Sequence, residues 1–521
     1  ALRSATNSNN NIAMGTGSLE GITGNQNVAI GTYANGLTAM TEIINATSTG
    51  VNATGTVAIG DRALATQSNN LALGTRTQAT GSAATAIGYN SVASADYAIA
   101  HGSQTQARGN YAIAIGSSNN TTSSARATNG YSIAIGSNAE SSAYNGIAIG
   151  RSSSSRGIGS TALGSGATTT AYSTPGGRPT GGLGAIAISA VTDNNATQRT
   201  TASGPTSVAI GVSTTASAIS ANAIGNTASA TGEDSTAIGT KAQATQQSTL
   251  AIGSTAFADG NNAVAIGSSA QALAQSATSV GYKAGSSSVS EYDTSIGYAA
   301  GSNITPVSID LGGGTLVSGR NTSIGGDAGN NLQGSLNTVV GANTGRSIAG
   351  SGNTALGSNA AITVTGNWNT AVGYATGRNV SGSTNVALGQ TAGNNVSSDF
   401  NIGIGAGAGA NISGGHNTIS IGSNTGQGVT GGSNYAIGTS SGRTVSGLRN
   451  LTFGYMSGNN VTGNDNVSLG TNAGLSNRAS NTVSIGNLAT ASANSAIAIG
   501  RNAQATGSQS ISIGVGNVVS G

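Results

Sequence analysis

The sequence predicts an all-β fold, a parallel β-roll or solenoid whose turns are fourteen and sixteen residues long. Three observations carry that expectation. The string A-I-G returns at Gly225, Gly239 and Gly253 within SANAIGNTASATGEDSTAIGTKAQATQQSTLAIG, and such short-period self-similarity along a whole chain marks a solenoid. The hydrophobic residues are mostly Ala, Val and Ile, with only 3 Phe and 1 Trp in 521 residues, too few large side chains for a thick globular core. Gly, Ser, Thr and Asn recur every few residues and no apolar stripe appears at helical spacing, so helix is a poor choice for the repeating unit.

Taken in order, residues 1–281 read as a roll of mainly fourteen-residue turns. Its anchor glycines are Gly60, Gly74, Gly88, Gly102 and Gly116, then Gly136, Gly150 and Gly164, then Gly211 onward to Gly281. Residues 282–486 lengthen to sixteen, from Gly325 through Gly341, Gly357, Gly373 and Gly389 to Gly405, and after one seventeen-residue step from Gly422 to Gly486. Residues 487–521 return to fourteen at Gly500 and Gly514. Four steps exceed one turn and imply insertions at 32–59, 117–135, 165–210 and 298–324.

Each turn has room for two short strands. Between Gly500 and Gly514, Ala503 and Ala505 alternate with polar residues, Gly507 turns the chain, and Ile511 and Ile513 alternate in the second strand. In Val57-Ala58-Ile59 and Val264-Ala265-Ile266 that second strand is apolar or small on both faces. Its own coil covers one face only, so the column Ile59, Ile87, Ile115, Ile210, Ile224, Ile238, Ile252 and Ile266 predicts a homo-oligomer packed along the roll. In the longer turns Asn337, Asn353, Asn369, Asn385, Asn401, Asn417, Asn434, Asn450 and Asn466 each follow an anchor by twelve residues, as a rung-to-rung amide ladder requires. Gly329, Gly345, Gly377 and Gly393, four after an anchor, read as turn glycines with positive φ.

Composition excludes several functions. A net charge of +3 arises from 18 basic against 15 acidic residues with no basic run, so no nucleic-acid partner is expected. No stretch is long and apolar enough to span a bilayer, and ALRSATNSNN is not a signal segment, so this part of the chain is expected to make no membrane contact itself. No cysteine is present for thiol chemistry. Gly157, Gly159 and Gly164, or Gly403, Gly405 and Gly407, imitate a dinucleotide fingerprint without the helix it needs. Asp327 stands alone where a calcium array needs an aspartate in every turn. The acidic pairs Glu233/Asp234 and Glu291/Asp293 lie at or near turns, so no cofactor, metal or enzymatic activity is expected.

The strings Ser207-Val208-Ala209-Ile210-Gly211, Asn262-Ala263-Val264-Ala265-Ile266-Gly267 and Asn494-Ser495-Ala496-Ile497-Ala498-Ile499-Gly500 resemble the head repeat of YadA-like trimeric autotransporter adhesins. The longer form, as in Gly366 to Gly377, resembles a variant that similar heads and some phage fibres carry. The resemblance implies a left-handed roll, three parallel chains around one axis, and a place on a bacterial surface with outer-membrane anchoring through a C-terminal part absent here. It implies a non-enzymatic adhesin attaching to host matrix, abiotic surfaces or other cells, as in autoagglutination and biofilm. A phage tail-fibre or tailspike recognising cell-surface polysaccharide is the alternative.

Candidate contacts then lie where the repeat is broken or decorated. His101 replaces the aliphatic residue before an anchor and is a candidate axial site for an anion or water. Tyr97, Tyr111 and Tyr131 each precede an anchor by five and predict an exposed aromatic stack. Arg178 and Arg199 in the most disturbed insertion, and Trp368 beside the asparagine column, complete the candidate adhesive contacts.

Overall fold

The computed structural model describes residues 9–16, 18, 22–34, 51–117, 124–170, 183–189, 199–307, 309–310, 316–317 and 319–521. They form an all-β parallel solenoid of about 32 turns, without a helix among the described residues. Two compact units divide the chain, Ala1–Thr255 and Ala256–Gly521. Most of the insertion 32–59, much of 165–210 including Arg178, and parts of 117–135 and 298–324 lie outside the described residues.

In the first unit three-residue strands stack in parallel with small residues in register. Ile99–His101 pairs with Thr85–Ile87 on one side and Ile113–Ile115 on the other, placing Ala100 between Ala86 and Ala114. A second parallel wall is built from two-residue strands such as Gln78–Ala79, Val92–Ala93 and Gln106–Ala107. Ala86, Ala100 and Ala114 of one wall and Ala79, Ala93 and Ala107 of the other are fully buried. The core is therefore methyl on methyl, which is why alanine rather than leucine fills it. Alternation along each strand then sends residues such as Ile99 and Ile115 to the outer face, where they are 39% and 37% exposed.

The anchor glycines permit this close stacking. Gly239 has φ of +129°, and a Cβ there would lie 2.5 Å from the carbonyl oxygen of Gly253 one turn on. Gly239→Ala is expected to cost at least about 3 kcal/mol, combining a left-handed backbone penalty with a clash against main chain that cannot swing away. A melting comparison with the neighbouring Thr240→Ala, at an exposed position, checks it.

The second unit widens the coil. Thr354–Leu356, Thr370–Val372 and Val386–Leu388 are parallel, with Ala355, Ala371 and Ala387 in register. The facing wall is held by isolated bridges such as Ile348 to Val364 and Val364 to Val380. These larger side chains are buried with Ile304, Leu332, Val396 and Ile412 in one cluster. The extra residues of each turn give room for Val or Ile opposite Ala. The turn glycine leaves the remaining space, since a Cβ on Gly345, at φ +65°, would lie 2.2 Å from Cγ1 of Val339.

An amide ladder runs beside this core. Nδ2 of Asn337 donates to Oδ1 of Asn321 at 3.2 Å, and Asn353, Asn369, Asn385 and Asn401 each repeat the bond to the preceding Asn at 3.1, 3.2, 3.1 and 3.1 Å. The ladder starts earlier than the sequence suggests, because Asn321 lies four before its anchor like the others. Asn417 is a correction. The extra residue between Gly405 and Gly422 moves it out of line, so Asn417 is exposed with φ of +59°. Thr418 takes the rung instead, its N–H donating to Oδ1 of Asn401 at 3.0 Å. The ladder resumes where Asn450 donates to Asn434 at 3.0 Å, and it ends on Thr482, whose N–H and Oγ1 donate to Oδ1 of Asn466 at 2.9 and 2.7 Å.

Candidate adhesive surface

The coil covers the alanine side of each main strand and leaves the other side bare. In the first unit Ile59, Ile87, Ile115, Ile210, Ile224, Ile238 and Ile252 each directly precede an anchor glycine in such strands, half-buried or exposed, and adjacent rungs keep them in register. Ile266 occupies the same position in the second unit, followed by Val280, Ile296, Ile324, Val340 and Leu356. Tyr435, Leu451 and Phe453 make that unit's seam bulkier near its later rungs. His101 lies in the seam between Ile87 and Ile115, exposed and facing away from the coil. Along the same face, Thr85, Thr161, Asn222 and Thr236 are polar residues at the first position of their strands.

The aromatic stack sits on tight turns. Tyr97 and Tyr111 have ring centroids 4.8 Å apart and 4° from parallel, and Tyr111 and Tyr131 are 5.0 Å and 6°. All three have positive φ, held there by rung-to-rung bonds such as Tyr111 N–H to Asp96 O at 2.8 Å. Because the rings cover one another's faces, the stack presents ring edges and hydroxyls rather than platforms for a sugar ring. In the second unit the same turn position holds Tyr292, Trp368 and Phe400, all exposed with positive φ. Trp368, which in the sequence looks isolated, lies over Gly352, where a Cβ would be 2.1 Å from its ring.

A second aromatic column escaped the sequence reading. Tyr89 in the first unit and Tyr282, Tyr298, Tyr374 and Tyr455 in the second each follow an anchor glycine directly, and all are exposed. Tyr282 and Tyr298 are 5.5 Å apart, with Nζ of Lys283 at 5.2 Å over the Tyr282 ring. The dipeptide Gly-Tyr at the anchor was the signal available. Arg199 is exposed near Gly166, while Arg126, Glu140 and Arg156 form an ion-pair cluster at 3.1 and 3.2 Å. At such exposure those pairs contribute little to stability.

A void of about 20 Å³ lined by residues including Ala371, Ala387, Val380 and Ile412 has room for about one water-sized molecule. Among the described residues no group of three or more His, Cys, Asp or Glu side chains could hold a metal ion. What the geometry defines is a repetitive scaffold that displays surfaces. The family model of the YadA head domain repeat matches residues 79–104, 93–119, 123–139, 127–153, 141–167, 202–228, 221–242, 230–256, 258–284, 479–503 and 491–517. These segments match YadA head repeats, which is consistent with a YadA-like head. Adhesins with such heads are homotrimeric, surface-exposed and structural rather than enzymatic. No curated protein matches the chain.

Proposed function

We propose that this chain is the adhesive head of a bacterial surface fibre, in which three parallel chains pack through the apolar seam into a left-handed roll of fourteen- and sixteen-residue turns. The observation that supports this most is the seam itself, an isoleucine-rich stripe along one side of each unit with nothing from its own coil over it. Packing copies through the seam leaves the turns outside, so the tyrosine columns and the insertions at 32–59, 117–135, 165–210 and 298–324 face the surroundings. They make individually weak contacts with host matrix, another cell or an abiotic surface, and multiplicity raises the total. Arg178, Arg199 and Trp368 contribute polar and aromatic contacts of the same kind. His101, meeting its two copies in the seam, holds an anion or water. The fibre is attached to the outer membrane, and virulence, autoagglutination and biofilm follow from adhesion by this head.

Replacing Tyr97, Tyr111 and Tyr131 together with Ser tests the display. The three side chains project from turns, so the variant is expected to keep its melting temperature within a few degrees, as surface changes cost about 0.5 kcal/mol or less each. Its binding to matrix-coated or plastic surfaces is expected to fall, measured beside variants lacking one insertion each. Undiminished binding by all of them would remove the assignment of adhesion to turns and loops.

A further inference from the structure

The amide ladder has a direction, and its first member is not an asparagine. Each Oδ1 accepts from the backbone N–H and Nδ2 of the residue one turn later, as Asn337 accepts from Asn353 at 2.9 and 3.1 Å. The first position therefore needs an acceptor and no donor. Asp293 fills it, four residues before Gly297, with Oδ1 accepting from N–H and Nδ2 of Asn321 at 2.7 and 3.2 Å. The residue beside it on the preceding turn is Ala277, which has no polar side chain to offer.

The other carboxyl oxygen is left without a donor. Asp293 is 3% exposed, and its Oδ2 has no hydrogen-bond partner. The hydroxyls of Ser288 and Ser290 are also buried and without a bonded partner. Among the described residues no cation compensates. Glu291, Tyr292 and Arg320, on the segments packed against this rung, are exposed, and Arg320 lies over the Tyr292 ring at 5.6 Å. The preceding and following strands, Thr278–Val280 and Thr322–Ile324, carry no titratable residue.

A carboxylate buried without a cation is relieved by one added proton, and the serine hydroxyls can accept as well as donate. Placed on Oδ2, the proton makes a carboxylic acid that donates to Oγ of Ser288 or Ser290 while Oδ1 keeps both bonds from Asn321. We infer that Asp293 is a proton-binding cap on the amide ladder, complete as the acid and loosened as the carboxylate, so that this part of the second unit tightens in mildly acidic surroundings. Burial pushes its pKa up to about 6, against the opposing pull of the Asn321 N–H and side chain and the nearby serine hydroxyls. The folded pKa is thus above the unfolded value of 3.8, so the stabilisation is fully present below that value and is lost as pH rises through about 6.

Hydrogen exchange at the Asn321 backbone amide of the full chain reads this locally. After correction for the intrinsic rate, protection is expected to fall about tenfold between about pH 5 and about pH 7.5. Asp293→Asn puts an N–H donor where the added proton would be, and its protection stays level over that range. Asp293→Ala removes the acceptor and lowers protection at both ends. In infrared spectra the natural chain shows a carboxylic-acid carbonyl band that disappears as pH passes about 6, and the band is absent from Asp293→Asn. Equal pH dependence of protection in the natural chain and Asp293→Asn, or the same band in both, overturns the inference.

Discussion

Chains carrying Ile238→Asp are expected to fold and to sediment singly. Ile238 ends the strand Thr236–Ile238, in register with Ile224 and Ile252, and its side chain points away from the buried Ala237. In a lone chain that position is only half-buried, so an aspartate there reaches water at small cost. In the proposed trimer the same carboxylate is enclosed by isoleucine, without a cation, and meets its two equivalents. Burying an unpaired charge costs several kcal/mol per ion, enough to reverse an association driven by apolar area. Circular dichroism should show an unchanged strand signal while sedimentation velocity shows the smaller species. An assembly unaffected by the substitution would place the contact between chains elsewhere.

Asn369→Ala is expected to destabilise the second unit by about 4 kcal/mol, near the upper end for a single substitution. Asn369 donates from Nδ2 to Oδ1 of Asn353 at 3.2 Å and to the Gly382 carbonyl at 2.9 Å. Its Oδ1 accepts from N–H and Nδ2 of Asn385 at 2.9 and 3.1 Å. Alanine leaves a carbonyl and two donors buried without partners, each costing about 1–3 kcal/mol. A solenoid holds together through contacts between neighbouring turns, so the damage should concentrate between the flanking rungs. Denaturant unfolding gives the magnitude, and hydrogen exchange should show protection lost first around Asn353 and Asn385. The exposed Asn379→Ala, at a left-handed turn position, is the comparison, expected to cost about 1 kcal/mol.

The repeat was legible because glycine stands at nearly every described anchor, Ser189 being an exception. Gly239, Gly253 and their equivalents meet main chain to main chain, so the A-I-G column reports three-dimensional stacking directly. The two apolar faces of Val57-Ala58-Ile59 were legible too, although residue size alone did not say which face the coil takes. Ala58 does, because the walls approach too closely for Ile59 to fit between them. Counting from the preceding anchor misplaced Asn417, where counting back from Gly422 would have found Thr418. Asp293 was passed over as one of an acidic pair near a turn, because its meaning depends on Asn321, across an insertion twenty-eight residues away in sequence. Tyr282 and Tyr298 were hidden for a simpler reason. They stand directly after the anchor glycine, one place beyond the repeating string.

Sedimentation equilibrium of the unaltered chain at neutral pH tests the central claim most directly. Seam packing predicts a species of three times the 49.7 kDa chain mass that persists on dilution. A stable species of single-chain mass would contradict it, because the isoleucine face would then stand in water with nothing to cover it.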